Sequence, residues 1–112
     1  MTCKPGELVG IPFPYSDLNT KKRRPVLVVT PLDSHGDFMG LAVTSVPTVE
    51  SAVGINEKSM AIGRLPKPSW IRIDKIFTLS ETIIVRNYGA LDAAVFRKVV
   101  ERLCDYLGCS SL

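Results

Sequence analysis

Apolar and polar positions follow two different periods, one along most of the chain and another near its end. Between residues 6 and 89, short apolar and β-branched runs are separated by stretches of proline, glycine and charged residues. Such runs are typical of β-strands. From residue 95 onward, apolar residues recur every three or four positions, which indicates a helix with one buried face. The pattern predicts a mainly β domain closed by one helix.

Five runs are predicted as strands: GELVGIPF at 6–13, PVLVV at 25–29, FMGLAVTSV at 38–46, WIRIDKIFTLS at 70–80 and TIIVRNYG at 82–89. PVLVV is continuously apolar and predicts a buried central strand, with Pro25 at its start because proline cannot donate a ladder hydrogen bond. In the run at 70–80 the alternation breaks at Ile76–Phe77, where we expect a bulge or the end of the half-buried stretch. The irregular segment 47–68 contains Ala52 to Ile55, a short strand or a helical turn.

A terminal helix is predicted between a capping residue and a stop residue. Asp92 is a typical N-cap, and Gly108 is a typical residue at which a helix ends. Six apolar residues at helical spacing are expected to face the core: Val95, Phe96, Val99, Val100, Leu103 and Leu107. Short strands with one such helix predict a single domain over residues 1–112, built as a small, strongly curved β-barrel with the helix against it.

Composition places few limits on function. The chain has 112 residues, 22% of them charged, and a net charge of +3, which permits a nucleic-acid partner without requiring one. Three cysteines without zinc-ligand spacing indicate reduced thiols and no metal site. The N-terminus lacks an apolar signal sequence, and no apolar run has membrane-spanning length, so we expect a cytoplasmic protein without a membrane association.

Basic residues concentrate in two stretches. The first is the run of four cations at residues 21–24, and the second comprises Lys58, Arg64, Lys67, Arg72 and Lys75, with Asp74 as its single internal acid. If the stretches meet in space, they form a surface that attracts anions. The one histidine, His35, lies in a turn, and no catalytic triad, nucleotide-binding or metal-binding motif is recognisable.

A small polar set lies on otherwise apolar strands. Arg24 precedes the buried strand, Thr44 and Ser45 end another, and Arg72 and Asp74 share one strand face. Taken singly, each residue has an ordinary structural interpretation: a solvated cation, common strand residues, and a surface ion pair worth less than about 1 kcal/mol. Together, two guanidinium groups, hydroxyls and a carboxylate are suited to bind and cleave a phosphodiester.

These residues also carry a family resemblance. GELVGIPFPYSDLNTKKRRPVLVVTP resembles the N-terminal signature of the MazF/PemK (Kid) toxin family, and LAVTS, WIRIDKIFTLS and ALDAAVFRKVVERLCDYL resemble its later strands and closing helix. The resemblance spans nearly the whole chain, in order. It implies a dimeric SH3-like barrel of the Kid/CcdB type. It also implies a sequence-selective endoribonuclease that cleaves single-stranded mRNA without a metal or other cofactor, leaves a 2′,3′-cyclic phosphate and a 5′-hydroxyl, and is neutralised by a cognate antitoxin.

The resemblance also implies roles for individual residues. The PemK pattern makes Asp74 the general base and Arg72 the acid or charge stabiliser, whereas the MazF pattern makes Arg24 and Thr44 catalytic. Both patterns coexist, so which arginine is the main catalytic one stays open. The residues expected to bind RNA are Lys21, Lys22, Arg23, Ser45 and Trp70. The PemK branch has a histidine in the first loop that is absent here; Asn19, Thr20 or Lys21 is the candidate replacement.

Two other functions remain open at this point. The first is a non-enzymatic toxin of the same fold that binds DNA gyrase, as the CcdB type does. Against it stand the polar pairs on the strands, which a protein-binding surface does not need. The second is a catalytically silent barrel that binds RNA or a protein partner through its basic loop. That function predicts salt-sensitive binding without cleavage products.

Overall fold

The computed structural model of the protein describes residues 1–12 and 23–109. Within these residues the chain forms seven strands and one α-helix: β1 Glu7–Pro12, β2 Arg23–Val28, β3 Asp37–Thr44, β4 Ala52–Ile55, β5 Met60–Gly63, β6 Ser69–Ser80, β7 Arg86–Leu91 and α1 Ala93–Leu107. Two short 3₁₀ turns, Glu57–Ser59 and Glu81–Ile83, join strands. The predicted cations Lys21 and Lys22, and the side chain of Arg23, lie outside the described residues.

The strands form one antiparallel sheet in the order β4-β6-β3-β2-β1-β7-β5, curled into a half-barrel. Its central strands are buried on both faces, because alternate residues belong to different apolar clusters. Leu8 and Leu27 lie in the cluster that also contains Val99 of α1. Their neighbours Val9 and Val26 lie in the second cluster, on the other face. The prediction of a small curved β-barrel with a terminal helix is therefore confirmed, as is the buried central strand.

Helix α1 begins and ends as predicted. The carboxylate of Asp92 accepts a hydrogen bond from the backbone N–H of Ala94, and Gly108 has the left-handed φ of 80° that ends the helix. Val99 and Leu103 are buried, whereas Leu107 is 59% exposed. The prediction that Leu107 faces the core is wrong, because the last helical turn extends into solvent and residues 105–108 are all exposed.

β5 and β7 differ from the prediction, and the alternatives left open for residues 52–55 are resolved. Ala52–Ile55 is a strand, as one of the two alternatives had it, and β5 is an additional strand in the irregular segment. β7 begins at Arg86 and not at Thr82, because the Ser80 hydroxyl accepts the Thr82 N–H and caps a 3₁₀ turn. The later start of β7 follows from this local hydrogen bond, which competes with the strand ladder.

Pro25 is the third residue of β2 and not the first, which corrects the predicted start of that strand. β2 pairs with β1 through Arg23, but it pairs with β3 only from Val26 onward. On the β3 side, the missing donor of Pro25 therefore costs no ladder hydrogen bond. The first residues of β2, from Arg23 to Pro25, are therefore paired with β1 but not with β3. The unpaired side leaves room for a groove between β2 and β3.

Within the described ranges, no helix combines the length and the apolar character needed to cross a membrane.

Candidate active-site groove

The groove opens where β2 and β3 separate. Their pairing ends at Val26 and Ala42, and the next residues of β3 turn towards β6, with Thr44 opposite Trp70. Two hollows lie in the gap and share Pro25, Val43 and Thr44 in their walls. We call them the arginine hollow and the tyrosine hollow, and together the groove.

The arginine hollow has a volume of about 210 Å³. Its lining comes from β2, β3 and β6: Arg24, Pro25, Ala42, Val43, Thr44, Arg72, Lys75 and Phe77. Three of the four predicted catalytic residues, Arg24, Thr44 and Arg72, thus come together around one space from distant parts of the sequence. Phe77 was not predicted as a site residue, and no signal in the sequence distinguishes it from other half-buried strand aromatics.

An irregularity in β6 aims its side chains into the arginine hollow. Leu41 lies opposite Ile76 and Val43 lies opposite Ile71, so that residues 72–75 of β6 face the single residue Ala42. In a regular strand, residues 72 and 75 would point to opposite faces. The extra residues let both side chains reach the same hollow, as bulges near active sites commonly do. Of the two alternatives expected at Ile76–Phe77, the structure has the bulge, and it lies just before Ile76.

Asp74 is joined to the arginine hollow through Arg72. Arg72 donates from Nε to Asp74 Oδ1 and from Nη2 to Oδ2, both at 3.2 Å, while the two side chains are 28% and 26% exposed. Asp74 itself does not line the hollow. The hydrogen bonds from Arg72 are the main reason that the pKa of Asp74 lies below its usual 3.8. The carboxylate is therefore ionised near neutral pH and is a weaker base than a free aspartate.

The hydroxyl of Thr44 makes one hydrogen bond, as an acceptor. Its Oγ1 accepts a hydrogen bond from the backbone N–H of Val46 at 3.1 Å, which leaves the hydroxyl hydrogen available to a ligand in the groove. Ser45 lines the tyrosine hollow. Trp70 lines neither hollow; its indole lies against β4, where a Cβ on Gly54 would be 3.3 Å from Nε1. The structure thus brings Ser45 to the groove and places Trp70 outside both hollows.

The tyrosine hollow is the larger, at about 370 Å³. Its walls combine strand residues with the segment before β6: Leu8, Pro25, Val43, Thr44, Ser45, Arg64, Leu65, Pro66, Lys67, Ser69 and Tyr88. Tyr88 was not predicted as a site residue. A tyrosine in a short strand is common, and its position depends on a register shift that the sequence does not reveal.

Cations from both basic stretches line the groove. Arg24 from the first stretch meets Arg72 and Lys75 in the arginine hollow, while Arg64 and Lys67 line the tyrosine hollow. Among the described residues that line the two hollows there is no carboxylate. Arg24, the cation of the first stretch whose side chain the structure describes, therefore lies close to cations of the second stretch. The groove carries a local positive charge.

Comparison with known proteins places the chain in a family. Residues 4–107 match the family described as "PemK-like, MazF-like toxin of type II toxin-antitoxin system". No curated protein sequence matches the chain.

Solved structures of similar fold include the following three. MazE-MazF from Deinococcus radiodurans has 21% identity over 96% of this chain and 97% of that one, with a TM-score of 0.74. An endoribonuclease in complex with its cognate antitoxin, from a mycobacterial species, has 18% identity over 96% and 94%, with a TM-score of 0.71. Mycobacterium tuberculosis toxin MazF-mt6 has 18% identity over 91% and 96%, with a TM-score of 0.69. Since the family match covers nearly the whole chain and these structures share its fold, the protein belongs to the PemK-like, MazF-like toxin family of type II toxin-antitoxin systems.

Proposed function

We propose that the protein is an endoribonuclease toxin that cleaves single-stranded mRNA in the groove and is neutralised by a cognate antitoxin protein. The observation that carries the proposal is the arginine hollow, where Arg24, Thr44 and Arg72 surround one space and Asp74 is hydrogen-bonded to Arg72. Family membership supports it, and so does a fold shared with an endoribonuclease bound to its cognate antitoxin. We also propose that the toxin acts as a homodimer in the cytoplasm, where its substrate is found.

In the proposed reaction the nucleophile belongs to the RNA. The ribose 2′-oxygen forms a bond to the adjacent phosphorus, the bond from phosphorus to the 5′-oxygen breaks, and a 2′,3′-cyclic phosphate and a 5′-hydroxyl result. Asp74 accepts the 2′-hydroxyl proton as its ion pair with Arg72 opens, and solvent supplies a proton to the leaving oxygen. This route needs no metal or other cofactor, because the protein only moves a proton and stabilises charge.

The arginines have an electrostatic role in this mechanism. Charge accumulates on the phosphoryl oxygens as the 2′-oxygen attacks, and guanidinium groups match phosphate geometry with two parallel hydrogen bonds. An arginine is a poor proton donor, since its pKa exceeds about 12. We therefore assign charge stabilisation to both Arg24 and Arg72, and we assign a phosphate hydrogen bond to the Thr44 hydroxyl.

The test is cleavage of a long single-stranded RNA by purified protein in EDTA, followed by mapping of the fragment ends. We expect discrete fragments with cyclic phosphate and 5′-hydroxyl termini. Arg72→Ala should abolish cleavage, whereas Arg97→Ala, which removes an exposed arginine from α1, should not. Fragments with a different end chemistry, cleavage that requires added magnesium, or equal activity of the two variants would contradict the mechanism. Growth arrest with intact mRNA would favour a protein-binding toxin instead.

A further inference from the structure

We propose that the tyrosine hollow is a binding site for a single nucleobase of the RNA beside the cleaved bond, where Tyr88 stacks on the base and neighbouring hydroxyls determine which base is accepted. This inference rests on the proposed nuclease function. The two hollows share Thr44 and Pro25, so a strand with a phosphate in the arginine hollow would place a neighbouring nucleotide at the tyrosine hollow.

The hollow has the chemistry of a nucleotide site. Its volume of about 370 Å³ falls within the range of small-molecule pockets, roughly 300–1,000 Å³. Leu8 and Val43, with 0% and 3% exposure, form an apolar floor that suits the face of a base. Arg64 and Lys67 are exposed cations in the same lining, suited to hold the backbone phosphate of that nucleotide.

A register shift directs Tyr88 towards the hollow. Leu8 pairs with Gly89, but the next residue, Val9, pairs with Asn87, so Tyr88 is the unpaired residue of a bulge between β1 and β7. Bulges of this kind re-aim a side chain, here into the hollow.

The tyrosine ring is held in place on two sides. It lies against Gly10, where a Cβ would come within 2.9 Å of the Tyr88 hydroxyl oxygen. The Arg86 guanidinium carbon lies 5.0 Å from the centre of the ring, a favourable cation–π distance. Arg86 is exposed, so a stacking base can displace its guanidinium from that face. Gly10 meanwhile keeps the hydroxyl end of the ring in place, which limits the entropy lost on binding.

Hydroxyl groups in the lining can read the edge of the base. Ser69 is 6% exposed, and its Oγ donates to the Lys67 carbonyl at 3.1 Å. That bond uses its hydrogen, so the oxygen is left to accept a hydrogen bond from a base N–H. Ser45 supplies a further hydroxyl in the same space. A rejected base would leave these groups unpaired, which is how polar sites discriminate between similar ligands.

The experiment sequences the fragments released from an RNA pool of randomised sequence. We expect the wild type to prefer particular bases at the positions beside the cut. Tyr88→Ala should flatten the preference at one of these positions and reduce kcat/KM for the preferred RNA about tenfold to a hundredfold, as loss of base stacking does. Tyr88→Phe should retain most of kcat/KM, because it keeps the ring. Gly10→Ala should change the same position, because its new Cβ displaces the ring. Tyr106→Ala, which removes an exposed tyrosine from α1, should change nothing.

A second measurement separates this inference from the nuclease proposal. Adenosine, cytidine, guanosine and uridine 5′-monophosphates are titrated into the ¹⁵N-labelled protein, and amide shifts are followed at Leu65, Ser69 and Tyr88. Base-dependent shifts in the wild type that weaken in Tyr88→Ala support the site even if no RNA is cut. If the wild type cleaves RNA and Tyr88→Ala keeps every base preference, the inference is overturned and the nuclease proposal stands. Shifts that are absent, or identical for all four nucleotides, also overturn it.

Discussion

Asp74→Asn should separate the catalytic role of the ion pair from its structural role. The two hydrogen bonds of 3.2 Å join side chains that are each about one-quarter exposed. A pair with this exposure contributes at most about 1 kcal/mol to the free energy of unfolding, because solvent screens it. If Asp74 is the general base, its loss should lower kcat/KM about a hundredfold to ten-thousandfold. At about 1.36 kcal/mol for each factor of ten, that is roughly 2.7 to 5.4 kcal/mol in the transition state.

The assay compares two free energies in the same variants. Urea unfolding gives the stability of the wild type, Asp74→Asn, Arg72→Ala and the double variant, and cleavage of a defined RNA gives kcat/KM. If the two residues act as a unit, the double variant should be little slower than the slower single variant. Arg72 lowers the pKa of Asp74 in the folded protein. The pair therefore stabilises the fold at pH values above 3.8, the ordinary pKa of an aspartate. That contribution should disappear as the pH falls through the lowered pKa.

Two results would refute this reasoning. If Asp74→Asn retains kcat/KM within about threefold of the wild type, Asp74 only positions Arg72 and another group takes the proton. If stability instead falls by more than about 2 kcal/mol in parallel with activity, the pair is a structural element and its catalytic assignment has no support.

Two further predictions concern the groove's charge and its supporting backbone. RNA affinity should fall with salt, and Lys67→Ala should make the slope of log K against log salt shallower by about 0.7, the value for one phosphate contact on a single strand. Lys98→Ala on α1 is the control, and equal slopes for the two variants would contradict the placement of the RNA. Gly89→Ala should lower the free energy of unfolding by at least about 2 kcal/mol, since φ is 126° and a Cβ would clash with the Ile62 carbonyl oxygen. In Gly108→Ala the new Cβ would meet nothing within 4 Å, so the free energy of unfolding measured in urea should fall by only about 1 kcal/mol. If both glycine variants lose the same stability, the proposed clash at Gly89 is refuted.

The elements most accurately predicted are those whose signals are local. Asp92 and Gly108 bound α1 as expected, because capping depends on the hydrogen bonds and φ angles of adjacent residues. Within PVLVV, residues 26–28 form the buried part of β2, because a continuous apolar run must be covered on both faces. β5 was missed because its residues are largely exposed and carry no apolar alternation.

The sequence indicated which types of residue line the groove, but it identified only some of their positions. Arg24 and Thr44 were identified at strand ends, and Arg72 was identified from the strand face that it shares with Asp74. The family resemblance indicated all three, and the structure brings them to one hollow. Phe77 and Tyr88 were missed. Their reach into the groove depends on pairing partners that are distant in sequence, and single-chain periodicity carries no information about them.

Local physical chemistry therefore establishes which segments are strands, where the helix begins and ends, and which polar groups are available for phosphate chemistry. The separation of β2 from β3, the four β6 residues opposite Ala42, and the unpaired Tyr88 arise only when strands align in the sheet. A shift of register by one residue sends a side chain to the opposite face, and the packing of the whole core selects that register. The groove exists because these alignments are irregular at the places where its side chains are needed.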